Sequence, residues 1–275
     1  MEAPATPAQA AAEAGAETQA RGPRRPGVLA LGVWLTARGA MVRASLGLAA
    51  LGALGALAAA ASMRGTTGLE SLPAIASQAF AWGAGTTLAV GGALRALRND
   101  REEGVVALAR ARGIGPAAYA AGRVGGLVVV LAIAVAGGTL VAGLAATAVA
   151  TVQAFAVARA SAAAIVFALA FALTLGPVAM ATLGGRSRPG GYLWLLTVLV
   201  LPEALAPWTR DLLPRGWREL TSIPSALEAI RSGVETAGPA LAHAARGAAG
   251  LVAVVAASLI VVRSRVPGDA TTEDA

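Results

Sequence analysis

The chain has 275 residues, 56% hydrophobic and 13% charged, with a mean hydropathy of +0.67. Soluble domains carry roughly 25% charged residues, so the composition predicts an all-α membrane protein with several spans. Cys is absent and all 22 basic residues are Arg, which excludes disulfides, thiolate metal sites, a phosphate-loop lysine and a Schiff-base lysine.

The net charge of +7 is high, but no Arg stripe is interleaved with aromatics as nucleic-acid binding requires. Basic loops that hold spans in orientation account for it. The single His offers no histidine cluster for a metal.

Residues 1–26 hold no apolar run and bring Glu2, Glu13 and Glu17 early. They read as a disordered cytoplasmic tail, not a signal peptide. Residues 27–43 are apolar up to Arg38 and Arg43 and predict an interfacial helix with Trp34 at headgroup level, or else an extension of the first span. The first span is placed at 44–62, about 29 Å at 1.5 Å per residue. The second follows at 73–94, with Pro73 in its first turn. Residues 95–123 carry the densest charge in the chain.

From 124 to 183 the only charge is Arg159, which predicts spans at 124–147 and 160–183 joined by a turn holding Thr151, Gln153 and Arg159. The stretch GGRSRPGG at 184–191 is a basic turn. A fifth span is placed at 192–207; Pro202 and Glu203 either break it or lie within a longer helix. In the outer segment, 202–246, Trp208 and Trp217 suit a membrane interface. Ser225 and Glu228 fit a capping box, and Leu227, Ile230 and Val234 recur at helical spacing, so one or two short surface helices are expected. The last span is placed at 247–262 and a solvated tail at 266–275. Six spans put both termini on one side, and that side collects 15 Arg against 7 on the other, so both termini are expected in the cytoplasm.

The loop after the second span has an internal order. Asp100, Arg101, Glu102, Glu103 and Gly104 open it, Val105, Val106, Leu108 and Ala109 form an apolar patch, and Arg110 and Arg112 precede the breaks at Gly113 and Gly115. Pro116 stands where a new helix would begin. A short helix with an acidic start and an apolar patch is a candidate docking element; a solvated loop with local ion pairs is the alternative.

This stretch resembles the loop of ABC type-2 exporter permeases. That family carries an acidic-basic-Glu-x-Gly-Thr opening, a Leu-rich helix, an Arg/Pro-Ile/Val-Ser/Gly turn and a Gly-Lys/Arg pair. Here Asp100 to Gly104 match the opening, Arg112, Gly113, Ile114 and Gly115 the turn, and Gly122 with Arg123 the pair, while Val105 stands where the family usually has Thr or Ser. The resemblance implies the membrane subunit of an exporter in a bacterial inner membrane, working as a homodimer or permease heterodimer with a separate cytoplasmic ATP-binding subunit. It implies that the loop contacts that subunit through Asp100, Arg101, Glu102, Glu103, Gly104, Val105, Leu108, Arg112 and Gly113. ATP would be used by the partner, and no cofactor by this chain. A non-transporting scaffold or assembly factor is the alternative.

Other signals are weaker. Residues 113–118 fit Gly-x-Gly-x-x-Ala, but no strand precedes them. Glu102-Glu103 lacks the Arg that the glutamate-protease signature needs at position 107. His243 reads as an amphipathic interface residue, although a Ser–His dyad stays open. Glu203 is a candidate for the outer mouth of a translocation path, or else a carboxylate paired with Arg210 or solvated. Gly122-x-x-x-Gly126 permits close helix packing but is common by chance in so Ala-rich a chain.

Overall fold

The computed structural model describes residues 27–65, 68–151, 153–185, 188–209, 217–236, 238 and 240–266. The expected N-terminal tail, Arg186, Arg210, Arg215 and the tail beyond 266 lie outside these residues, as does the side chain of Arg188. The described residues are helical, without strands.

In chain order the helices are α1 (Val28–Ala37), α2 (Ala40–Ser62), α3 (Ser71–Ala79), a π segment (Phe80–Gly85), α4 (Thr86–Ala93), α5 (Ala96–Glu102) and α6 (Val105–Ala111). Then come α7 (Pro116–Val149), α8 (Ala154–Leu183), α9 (Arg188–Thr209), α10 (Trp217–Thr221), α11 (Ile223–Thr236) and α12 (Ala240–Arg265). Five helices are long and apolar enough to cross a membrane: α2, α7, α8, α9 over 189–208, and α12. The expected second span is a different object. Residues 71–93 are helical throughout, but α3 and α4 are joined by the π segment. Its wider turn leaves room for Thr86, whose hydroxyl donates to the Ala81 carbonyl five residues back at 3.2 Å.

Several boundaries differ from the sequence expectation for physical reasons. The interfacial segment and first span divide at Arg38–Gly39, so α1 is a separate helix and α2 starts at Ala40. Helix α7 begins at Pro116, whose ring suits a first turn, and runs 34 residues. Helix α8 begins at Ala154 because nothing in 154–160 breaks a helix, so Arg159 lies on α8 and the turn is shorter than expected. Helix α9 continues through Pro202 and Pro207 to Thr209, which settles the choice at Glu203 in favour of a longer helix.

Helix α8 forms the centre, with 72% of its most apolar stretch buried, against 17% for α9 and 22% for α2. It packs most extensively on α7. Phe80 of the π segment wedges between α2 and α7, where only glycines, Gly52 and Gly138, leave room for its ring. Trp82 meets Phe171 of α8 edge to face, with ring centroids 5.2 Å apart.

The crossing of α1 over α7 is closest of all. A methyl group on Gly32 would collide with the Gly122 carbonyl, and one on Gly126 with the Gly32 backbone. The small-residue spacing at 122 and 126 is therefore the seat of α1.

One end of the bundle gathers α1, α5, α6, the start of α7 and the ends of α8 and α12. There the backbone NH of Arg95 donates to the Leu183 carbonyl at 3.0 Å, and those of Leu97 and Arg98 donate to Gly184 at 3.0 and 3.3 Å. Unsatisfied donors at the start of α5 thus meet unsatisfied acceptors at the end of α8. Arg95 adopts the left-handed conformation, φ 57°, to turn the chain into this joint. The opposite end carries Leu69, Leu72, Ala146 and Val157 in a small apolar cluster of its own, and α10 and α11 pack on α12.

Candidate functional site

The loop after α4 folds as two short helices, α5 and α6, set at a turn through Gly104. Gly104 and Gly113 both have positive φ, 72° and 77°, so each glycine is required by the backbone. Helix α5 is two-faced. Ala96, Leu97 and Asp100 point inward; Arg98, Asn99, Arg101 and Glu102 point out.

The buried Asp100 is the focus. Its side chain is 1% exposed and receives the Arg123 Nε–H at 2.7 Å, the Arg123 Nη2 at 3.4 Å and the Tyr119 hydroxyl at 2.7 Å. Arg123, 4% exposed, also donates from Nη1 to the Thr36 hydroxyl at 3.1 Å, and that hydroxyl donates to the Gly32 carbonyl at 2.9 Å. One polar clasp therefore joins α5, α7 and α1. Sequence reasoning placed Asp100 on a partner-facing surface; the structure turns it inward. A charged group so deeply buried must be paired, and it is. Arg123, Tyr119 and Thr36 were not read as partners of Asp100. The available signal was Arg123 itself, an ionised group at the start of a long apolar run, which demands a counter-charge.

Arg101, Glu102, Glu103 and Arg112 of the loop face solvent. Glu102 accepts from Arg98 at 2.6 Å, and this bond, with the Arg98 and Arg95 charges, holds its carboxyl below the ordinary range. The Glu102 pair therefore persists above that range and is lost as pH falls through the lowered value. Glu103 pairs with Arg38 of α1 at 2.5 Å, and the Arg38 guanidinium stacks over Trp34 at 5.7 Å. Arg101, Gly104 and Arg112 are exposed, Leu108 is 55% exposed, and Val105 is half-buried. On the inner side of α6, Val106 and Ala109 are buried in the core. The outer surface is thus a mixed-charge patch around one exposed leucine, held rigidly from behind.

No family model, no curated protein and no solved structure matches this chain.

A second polar group lies at the opposite end. Glu203 of α9 accepts from Arg218 Nη2 at 2.6 Å and from the hydroxyls of Ser222 and Ser225. The expected Arg210 partner lies outside the described residues; Arg218 makes the pair. Ser222, not Ser225, is the N-cap of α11, since its hydroxyl accepts the Ser225 NH at 3.3 Å. Glu228, the expected capping partner, instead pairs with Arg231.

Glu203 is thereby the anchor that binds α10 and α11 to α9. Glu203→Gln is expected to loosen 217–236, visible as faster amide hydrogen exchange there and a lower melting temperature. The scale is about 1.5–3 kcal/mol for a lost charged hydrogen bond. Unchanged exchange would show that α11 is held by its apolar contacts alone.

His243 Nδ1–H donates to Glu219 Oε1 at 2.7 Å, which ties α10 to α12. Neither Ser225 nor Ser232 is bonded to it; their hydroxyls go to Glu203 and the Glu228 carbonyl. Among the described residues no group of three or more His, Cys, Asp or Glu could hold a metal ion.

Proposed function

We propose that this chain is the membrane-spanning permease subunit of an ABC exporter, working as a dimer with a separate cytoplasmic ATP-binding subunit. The six spans would be α2, the α3–π–α4 rod, α7, α8, α9 and α12, with α1 at the cytoplasmic interface. The observation that carries the reading is the clasp. A docking loop can drive a bundle only if a push on it reaches the helices, and Asp100 links α5 to α7 and α1 by hydrogen bonds buried from water. The α5–α8 joint adds a backbone route into the central helix.

The charge distribution supports the orientation. Arg38, Arg43, Arg95, Arg98, Arg101, Arg110, Arg112, Arg263 and Arg265 belong to the end that carries the loop, and positive loops face the cytoplasm. The contact surface for the ATPase would be the exposed part of the loop, Arg101, Glu102, Glu103, Gly104, Leu108, Arg112 and Gly113, with Asp100 acting from behind it. The chain lacks Lys, so the partner would supply the phosphate loop.

The test is co-purification of the chain with ATPase subunits encoded beside it. The double variant Glu103→Arg/Leu108→Asp is expected to lose the bound ATPase while inserting normally. Retention of the ATPase would refute the contact surface. A chain that never retains any ATPase would be the scaffold of the alternative reading.

A further inference from the structure

Helices α9 and α12 both pack on α8 but scarcely on each other. Between them runs a cavity of about 430 Å³, within the ~300–1,000 Å³ range of ligand sites. Ala181 of α8 forms its floor, Trp194 and Val198 of α9 one wall, and Ala257 and Val261 of α12 the other. The neighbouring Thr182 spends its hydroxyl on the Val178 carbonyl at 2.8 Å, so it adds little polarity. At the end where α8 finishes, Arg265 closes the cavity, its stem lying against Gly185. Arg265 is thus the charged residue that lines the cavity, and Glu203 lies at the far end of α9.

An apolar slot that opens sideways between two membrane helices and ends in a guanidinium is complementary to a lipid, acyl chain first and phosphate last. We infer that this groove is a binding site for an anionic phospholipid of the leaflet facing the basic end of the bundle. The acyl chain lies against Ala181, Val198 and Val261, and the headgroup phosphate meets Arg265. Basic pockets between spans on the cytoplasmic side are the general setting for such recognition. The inference requires that the chain be membrane-embedded, and is independent of the proposed transport function.

The experiment uses the full chain in detergent, offered phosphatidylglycerol or phosphatidylcholine of equal chain length, with bound lipid counted by native mass spectrometry. Phosphatidylglycerol is expected to be retained about five-fold better, the factor that ~1 kcal/mol per Arg at a membrane surface gives. Arg265→Gln is expected to remove that preference, while Arg265→Lys keeps most of it. Ala257→Leu, which fills the slot, is expected to lower retention of both lipids. Equal retention of the two lipids by the parent chain would overturn the inference, as would a preference that survives Arg265→Gln. A dimer that Ala257→Leu dissociates would instead make this face the contact between two copies. Melting curves on each variant separate loss of a site from loss of the fold.

Discussion

Arg123→Leu is expected to destabilise the loop-bearing end of the bundle by about 3–5 kcal/mol, because it leaves a buried charge on Asp100 without its partner. Asp100 is sealed by protein on every side, so water cannot take over the role of the guanidinium. Thr36 loses a donor at the same time and its tie to α7 disappears. The double variant Asp100→Leu/Arg123→Leu is expected to melt higher than the single one. Replacing a whole buried pair by apolar groups is often neutral, whereas breaking it is not. Melting temperature and limited proteolysis at 95–115 would read the difference. The double variant also separates stability from coupling. Under the proposed function it is expected to insert, dimerise and bind the ATPase, yet to leave ATP hydrolysis insensitive to the state of the membrane helices. A double variant less stable than Arg123→Leu would show that the charge pair itself, not its satisfaction, holds the end together.

The second large effect is expected at Gly126. A leucine there would drive its Cβ into the Gly32 backbone, and backbone cannot swing aside as a side chain can. Overpacking costs about 1–3 kcal/mol when neighbours can shift; here the available shift is detachment of α1 from α7. Gly125→Ala is the control, since a Cβ there meets only the flexible end of Leu29, at 2.9 Å. The chain has no cysteine, so spin labels on Leu29→Cys and Leu108→Cys would report the α1–α6 distance without background. A narrow distribution in the parent and in Gly125→Ala, and a broad one in Gly126→Leu, is expected. A narrow distribution in Gly126→Leu would mean that Arg38–Glu103 and the Thr36 bond hold α1 without the glycine seat.

The long apolar helices were legible because their signal is additive: a run of twenty uncharged residues needs no knowledge of neighbours. The loop was legible for the same reason, as a dense charge cluster bounded by glycines. What the sequence could not convey was which side of that cluster faced in. Asp100 and Glu102 look alike in a list of residues, yet two positions on a helix differ by about 200° of azimuth, and that rotation separates a sealed ion pair from a solvated one. The partner of Asp100 lies 23 residues ahead and the next link, Thr36, 87 residues from Arg123, separations that no local pattern encodes. The π segment was equally hidden. Residues 80–85, Phe-Ala-Trp-Gly-Ala-Gly, are ordinary helix-compatible residues, and the wide turn follows from fitting Phe80 and Trp82 against Gly52, Gly138 and Phe171.

The length of α7 has a thermodynamic corollary. Its 34 residues extend about 51 Å, while the hydrocarbon layer is ~30 Å thick, so a membrane-crossing α7 has several turns to spare, and in the proposed orientation these are its first turns, beside α5 and α6. Two solvents then act on one helix. Inside the lipid, association rests on close van der Waals fit, since lipid tails are as apolar as leucine. At the protruding end, Leu35, Leu97, Val106 and Tyr119 are buried from water itself, and there the hydrophobic effect operates at full strength. Urea, which weakens apolar burial in water, should melt the clasp unit in a separate, earlier transition while the embedded bundle keeps its helicity.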